Sequence, residues 1–353
     1  MNFSSQLLQW YRNNRRDFPW RRTKNPYKIW LSEIILQQTR TSQGLSYYTK
    51  FTDKFPTLRD LATAKEEKVL KLWQGLGYYS RARNLHASAK YIHQELKGVF
   101  PNRYNNLIRL KGVGPYTAAA VSSICFKEVK AAVDGNVYRV LSRVFNIETA
   151  INSTEGIKIF QKLADELICH KEPGDYNQAL MDLGATICKA KNPICDVCPL
   201  QSKCIAREQK IADRRPVKTK KSKIKNRFLN YFCVEYEKQF FMKKRTENDI
   251  WKKLYDFPLK EVDCVTEELK QGDIEVIQSI IGENTFTLQK TRQYEHKLSH
   301  QKLHINIYYI KSHTKIRKNG FIKVNQHEAM KFPVPKPIEK FFKELFKGLD
   351  NKG

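Results

Sequence analysis

The chain has 353 residues, 41% of them hydrophobic and 12% aromatic, and its 64 lysines and arginines outnumber its 36 acids to leave a net charge of +28. At about 150 residues per domain, that length suggests roughly two domains. The composition excludes a disordered chain, and the charge asks for a polyanionic partner. The opening residues lack the basic-then-apolar order of a secretory signal, and no apolar run approaches the roughly 18 residues of a membrane helix. A soluble chain from a reducing compartment is expected.

Residues 1–207 read as helical, with helical periods over Pro26 to Arg40, Lys65 to Leu72, Ala82 to Leu96, Arg103 to Leu110, Tyr116 to Phe126 and Asn136 to Phe145. Short segments rich in glycine, proline or asparagine separate them. From Glu208 to Arg227 there are nine basic residues, two acids and no aromatic, which reads as a basic tether at 208–227. Beyond it the pattern turns to strands at 228–236, 239–242 and 302–310, with helices near Val265 to Leu269 and Ile338 to Phe346. The expected fold is multidomain: an all-α domain (1–207) followed by an α+β domain (228–353).

Four of the eight cysteines, Cys188, Cys195, Cys198 and Cys204, lie within 17 residues. Clustered cysteines in such a chain bind metal more often than they form disulfides. Zinc and an iron–sulfur cluster are both open, and the unequal spacing suits the wider corners of a cluster better. Cys125, Cys169, Cys233 and Cys264 read as small core residues.

A second signal spans 110–120. Gly112-Val113-Gly114-Pro115 joins two helices, and Pro115 suits the first turn of the second. Free N–H groups there, backed by the helix dipole, can hold a DNA phosphate without reading sequence. Such turns also serve as plain connectors. Asp134 precedes an amphipathic helix, as an N-cap would. Glu33 shares a helix face with Ile29, Trp30 and Leu36. A carboxyl on an apolar face should have a raised pKa and suits a general acid, although a surface glutamate would fit the same spacing.

Taken together, Trp30-Leu31-Ser32-Glu33, Leu36-Gln37-Gln38-Thr39, Gly75-Leu76-Gly77-Tyr78-Tyr79-Ser80-Arg81, the helix-hairpin-helix, Asp134-Gly135-Asn136-Val137 and the cysteine run resemble the adenine DNA glycosylases of the endonuclease III-like helix-hairpin-helix superfamily. The resemblance spans nearly the whole chain, since that family carries a C-terminal Nudix-like domain. It implies a base-excision-repair hydrolase that flips adenine out of a mispair with 8-oxoguanine or guanine and cleaves its N-glycosidic bond. It also implies one 4Fe–4S cluster on the loop 188–204, mispaired duplex DNA as partner, a monomer, and a cytoplasmic, nucleoid-associated setting.

By the same resemblance, Glu33 protonates adenine at N7, Asp134 stabilises the oxocarbenium-like sugar, and Tyr116 and Asn136 line the pocket. Trp20, Arg21, Leu36 and Gln178 contact the extruded base. Gln37, Gln38, Thr39, Tyr78, Gly112 and Gly114 meet the DNA, and Ser299 and His300 recognise 8-oxoguanine. Strand-cleaving relatives place a lysine just after the hairpin. Here that residue is Tyr116, which implies a monofunctional enzyme. Leu298 replaces the family's usual aromatic before Ser299-His300, and Asp249 to Pro258 lacks the family's glycines. No paired glutamates suit a Nudix magnesium site, so the second domain is expected to recognise rather than hydrolyse.

Overall fold

A computed structural model describes residues 2–219, 224–282, 285–316 and 320–350. The chain packs as two compact units, one formed by Met1–Ala64 with Arg83–Lys220, the other by Lys65–Ala82 with Lys221–Gly353.

The first unit is helical, and its local chemistry sets the helix boundaries. Asn25 caps the Pro26–Leu36 helix by accepting from Lys28 N–H, and Pro26 occupies the first turn. Pro115 opens Pro115–Phe126 in the same way. Asp134 caps Gly135–Val144, and Ser153 caps Thr154–Leu167. Leu7, Val137, Leu141, Phe160, Tyr176, Leu180 and Leu183 form one buried cluster. Full burial of each such side chain contributes roughly 1.5–3 kcal/mol against leaving it in water. Glycine at 174 lets the Pro173–Thr186 helix approach its neighbour, since a Cβ there would lie 2.8 Å from Ile124 Cα.

The second unit is built on a mixed sheet of β1 (Lys225–Tyr236), β2 (Gln239–Lys244), β3 (Tyr255–Asp256), β4 (Leu259–Val262), β5 (Phe286–Lys297), β6 (Gln301–Ser312) and β7 (Ile322–Val324). The strand order is β3-β2-β1-β6-β5, with β4 also on β1 and β7 on β2. Among the described residues, only β1 and β6 run parallel, from Lys225 opposite Gln301 to Glu235 opposite Lys311. Phe232, Val234, Tyr308 and Ile310 pack with Ile277 and Ile280 of the Gln271–Ile281 helix in one core. The Lys336–Asp350 helix buries Phe341, Phe342 and Phe346.

Several expectations need correction. The helix expected near Val265 to Leu269 is absent. That stretch is irregular, and its Thr266 carbonyl accepts from Tyr308 Oη at 2.6 Å, while the helix begins at Gln271. The strand β5 had not been expected. The boundaries differ from 1–207 and 228–353 because Lys65–Ala82 groups with the sheet unit. There Lys244 and Tyr255 both bond Glu67, at 2.8 and 2.6 Å, and Lys71 Nζ donates to the Phe332 carbonyl at 3.0 Å.

The basic segment is not a free tether over its first half. Arg215 is buried and ion-paired with Glu148, and Ile151 N–H donates to the Val217 carbonyl at 3.0 Å. Residues 220–223 of the segment lie outside the described residues. Cys264 is exposed rather than a core residue, Cys125 and Cys169 are half-buried, and Cys233 is buried. Among the described residues, no helix is long and apolar enough to cross a membrane.

Candidate active site

A cavity of about 200 Å³ in the helical unit is lined by Glu33, Tyr116, Asp134 and Asn136 together with Trp20, Arg21, Leu36 and Gln178. With Thr39, nine sequence-selected residues, spread over 159 positions of the chain, therefore face one space.

Glu33 sits on the Pro26–Leu36 helix between the buried residues Ser32 and Ile34. Burial pushes its carboxyl up to about 7. A hydrogen bond from Tyr116 and the charge of Arg21 oppose that rise, while the charge of Asp134 adds to it. Tyr116 follows Pro115 in the first turn of its helix. Its hydroxyl lies 3.4 Å from Met181 Sδ, and burial holds it well above its ordinary pKa, helped by the charges of Glu33 and Asp134.

Asp134 is both an N-cap and a wall of the cavity. Its Oδ1 accepts from Asn136 N–H at 2.9 Å and Val137 N–H at 2.8 Å, and its Oδ2 accepts from Asn136 Nδ2 at 2.7 Å. Burial raises its pKa, and those hydrogen bonds and Arg139 pull against the rise. Arg139 Nη2 donates to Asn136 Oδ1 at 2.8 Å and to the Gly184 carbonyl at 2.7 Å, while its Nε donates to the Cys188 carbonyl at 2.7 Å. The cap, the helix behind it and the cysteine loop are thus joined through one guanidinium.

Aromatic rings form another side of the cavity. Phe18 and Trp20 stack at 4.9 Å between centroids, and Trp20 meets Tyr48 edge-on at 5.1 Å. Gln178 Nε2 donates to the Gly174 carbonyl at 3.4 Å, and Gln178 Oε1 accepts from Tyr11 Oη at 3.4 Å. The sequence reading missed Arg16, Phe18, Ser32, Thr41 and Met181, which also line the cavity. The arginine pair Arg15-Arg16 followed closely by the aromatics Phe18 and Trp20 was the one available signal.

The residues assigned to DNA fall into two groups. In the helical unit, Gln37 Nε2 donates to Thr117 Oγ1 at 3.2 Å, Thr39 lines the cavity, and Gln38 is exposed with a left-handed φ of 56°. Gly112 has φ +80°, and a Cβ there would lie 2.7 Å from Asn84 Cβ. At Gly114 a Cβ would meet open space. Tyr78, Ser299 and His300 belong to the sheet unit. Tyr78 is 44% exposed, with the Arg81 guanidinium 5.7 Å from its ring. Ser299 and His300 are exposed in the β5–β6 turn, with Ser299 Oγ 3.2 Å from His300 Nδ1.

The four clustered cysteines line one apolar hollow with Val140, Leu183 and Leu200. Arg143, only 2% exposed, donates to Cys188 Sγ at 3.4 Å and to the carbonyls of Lys189 and Ala212 at 2.7 and 2.8 Å. Burial pushes the Cys198 thiol up to about 11 and raises that of Cys204. Thiols so placed surrender their protons to a bound cation. Among the described residues, no three or more His, Cys, Asp or Glu side chains are grouped as one metal ion requires. A donor set of four sulfurs around a hollow, with an arginine N–H on one of them, fits a multi-atom iron–sulfur cluster.

Residues 31–166 match the family of HhH-GPD superfamily base excision DNA repair proteins, and residues 230–344 match the NUDIX domain family. Over 356 residues the chain is 35% identical to the adenine DNA glycosylase of Buchnera aphidicola subsp. Acyrthosiphon pisum, covering 98% of this chain and 99% of that one. The chain belongs to the adenine DNA glycosylase family. The family's human member is 44% identical over 216 residues, 59% of this chain and 40% of that one. Among solved structures, a thermostable thymine-DNA glycosylase is 32% identical with a TM-score of 0.55, covering 59% of this chain and 95% of its own. An endonuclease III–DNA complex, at 21% identity and a TM-score of 0.51 over 59% of this chain and 94% of its own, shares the helical fold. The fold is therefore the helix-hairpin-helix glycosylase domain followed by a Nudix-like domain, and members of this family are hydrolases of N-glycosyl bonds.

Proposed function

We propose that this protein excises adenine from duplex DNA where it is mispaired with 8-oxoguanine or guanine, and leaves an abasic site. The observation that carries the reading is the convergence of Glu33, Tyr116, Asp134 and Asn136 on one cavity, with Glu33 held protonated up to about 7.

Adenine leaves poorly until its ring is protonated. The extruded base stacks on Trp20, and Glu33 donates its proton to N7, steered by Tyr116. As the glycosidic bond lengthens, positive charge builds on the sugar. Asp134, fixed by Asn136 and its own helix N-terminus, stabilises that charge as the carboxylate. Water then completes hydrolysis. At position 116 a phenol stands where a strand-cleaving enzyme would need an amine, so no Schiff base forms there and the backbone stays intact.

Outside the cavity, Gly112 and Gly114 bring the backbone close to a phosphate at the start of the Pro115–Phe126 helix. Gln37, Gln38, Thr39 and Tyr78 occupy the duplex around the vacated base, and Ser299 and His300 read the opposing 8-oxoguanine. Cys188, Cys195, Cys198 and Cys204 would hold a 4Fe–4S cluster. When bound, it supplies cationic charge that ties the four thiolates together and orders the loop. The protein works as a monomer in the cytoplasm, on the nucleoid.

Glu33→Gln tests the reading. Base release from an adenine:8-oxoguanine duplex is expected to fall by about 10²–10⁴, while duplex affinity is kept. Turnover at the wild-type rate would remove Glu33 from the chemistry.

A further inference from the structure

Asp182 lies on the Pro173–Thr186 helix, one turn beyond Gln178, and its side chain has no exposed surface. It does not line the cavity, yet it holds two residues that do. Arg21 donates to both of its oxygens, at 2.9 Å from Nη2 to Oδ1. Arg16 donates from Nε to Oδ1 at 2.6 Å and from its backbone N–H to Oδ2 at 3.3 Å. Arg21 Nη1 also donates to Tyr11 Oη at 3.2 Å, and Tyr11 in turn donates to Gln178. One carboxylate thus organises two cations and, through Tyr11, an amide of the cavity wall.

A fully buried carboxylate is costly unless it is paired and hydrogen-bonded. Here two guanidiniums satisfy it, and both reach the space that Glu33 faces. The groups around Glu33 are Tyr116 from one helix, Asp134 and Asn136 from another, Gln178 and Met181 from a third, and Arg16 and Arg21 from the segment before the Pro26–Leu36 helix. Cys125 also lies within electrostatic range. The cations in this set are the two that Asp182 binds.

We propose that Asp182 is a positioning residue for base excision: it fixes Arg21 and Arg16 in the cavity wall and cancels the cationic field they would otherwise exert on Glu33. This rests on the reading of Glu33 as the acid. Arg21 already works against the protonated form of Glu33. Without the charge of Asp182, both cations would act on Glu33 unopposed, and the acid would lose its proton at lower pH.

The test is the pH profile of single-turnover base release by the full-length chain. Asp182→Asn keeps the shape and an acceptor but removes the charge. Its alkaline midpoint is expected to fall by on the order of one pH unit. Arg21→Gln and Arg16→Gln remove a cation and are expected to move the midpoint the opposite way. A purely structural role would slow all three variants without opposed shifts. Unmoved midpoints, or three shifts in one direction, overturn the proposal while leaving Glu33 as the acid. A wild-type profile without an alkaline limb, with Glu33→Gln still active, overturns both. Should Asp182→Asn fail to fold, the two arginine variants decide, since unmoved midpoints in both overturn the proposal.

Discussion

In the proposed mechanism, the burial of Glu33 serves catalysis at a cost in stability. Its carboxyl titrates at about 7 in the fold against 4.5 for an ordinary glutamate, because burial disfavours the charged form. If the protonated form is the acid, base release falls about tenfold per pH unit above 7, and the rate–pH profile shows it. The same shift acts on stability. The folded state binds a proton that the unfolded state has released between 4.5 and 7, so raising pH through that window removes stability. Glutamine has no charge to desolvate. Glu33→Gln is therefore expected to melt at or above the wild-type temperature at alkaline pH, by thermal denaturation, although its base release is expected to fall.

At this scale the sequence was legible where chemistry and local pattern coincide. Glu33 was a candidate because a carboxylate on an apolar face is expensive, with a surface glutamate fitting the same spacing. Asp134 was ambiguous, and the structure shows it in both senses, with Oδ1 capping the helix while the residue also lines the cavity. Met181 and Asp182 carried no signal. An aspartate in Tyr176-Asn177-Gln178-Ala179-Leu180-Met181-Asp182 reads as a solvated face until tertiary packing brings two arginines from 166 and 161 residues away.

Among the elements, the helices could be read within a few residues because proline and side-chain caps mark their starts. The segment near Val265 was misread because its Thr266 carbonyl accepts from the Asn306 and Tyr308 side chains rather than from a helical N–H. The strand β5 was invisible for the converse reason. It is an edge strand with little buried on either face, so it shows no alternation. The helices Gly135–Val144 and Pro173–Thr186 meet where Gly184 faces Asn136. A Cβ at 184 would lie 2.5 Å from Asn136 Cβ and 3.1 Å from its Cα. Gly184→Ala must push the start of the Asp134-capped helix aside. A loss of about 1–3 kcal/mol is expected from such overpacking, with a lower single-turnover rate at saturating duplex. Unchanged melting and turnover would mean that the helix pair is slack.

For the molecule as a whole, a charge of +28 is expected to make phosphate contact the main source of affinity for duplex DNA. With six or more phosphates neutralised, affinity should fall by about 10³–10⁵ between 50 and 200 mM salt, and a titration at several salt concentrations measures that slope. The chain does not divide at its basic segment alone. Lys65–Ala82 packs with the sheet unit, tied by Glu67 to Lys244 and Tyr255 and by Lys71 to Phe332. No composition shift marks that insertion, because the pairing is made by residues far apart in sequence. A fragment ending at residue 220 would leave those partners unmatched, and it is expected to melt below the full chain. The central claim concerns base release. The most direct measurement is single-turnover cleavage of a labelled duplex with adenine opposite 8-oxoguanine, with adenine opposite thymine as control, scored with and without alkali. The expected result is cleavage of the adenine strand after alkali alone and in the mispair alone. Strand breaks without alkali, or duplex binding with no base release, would contradict it.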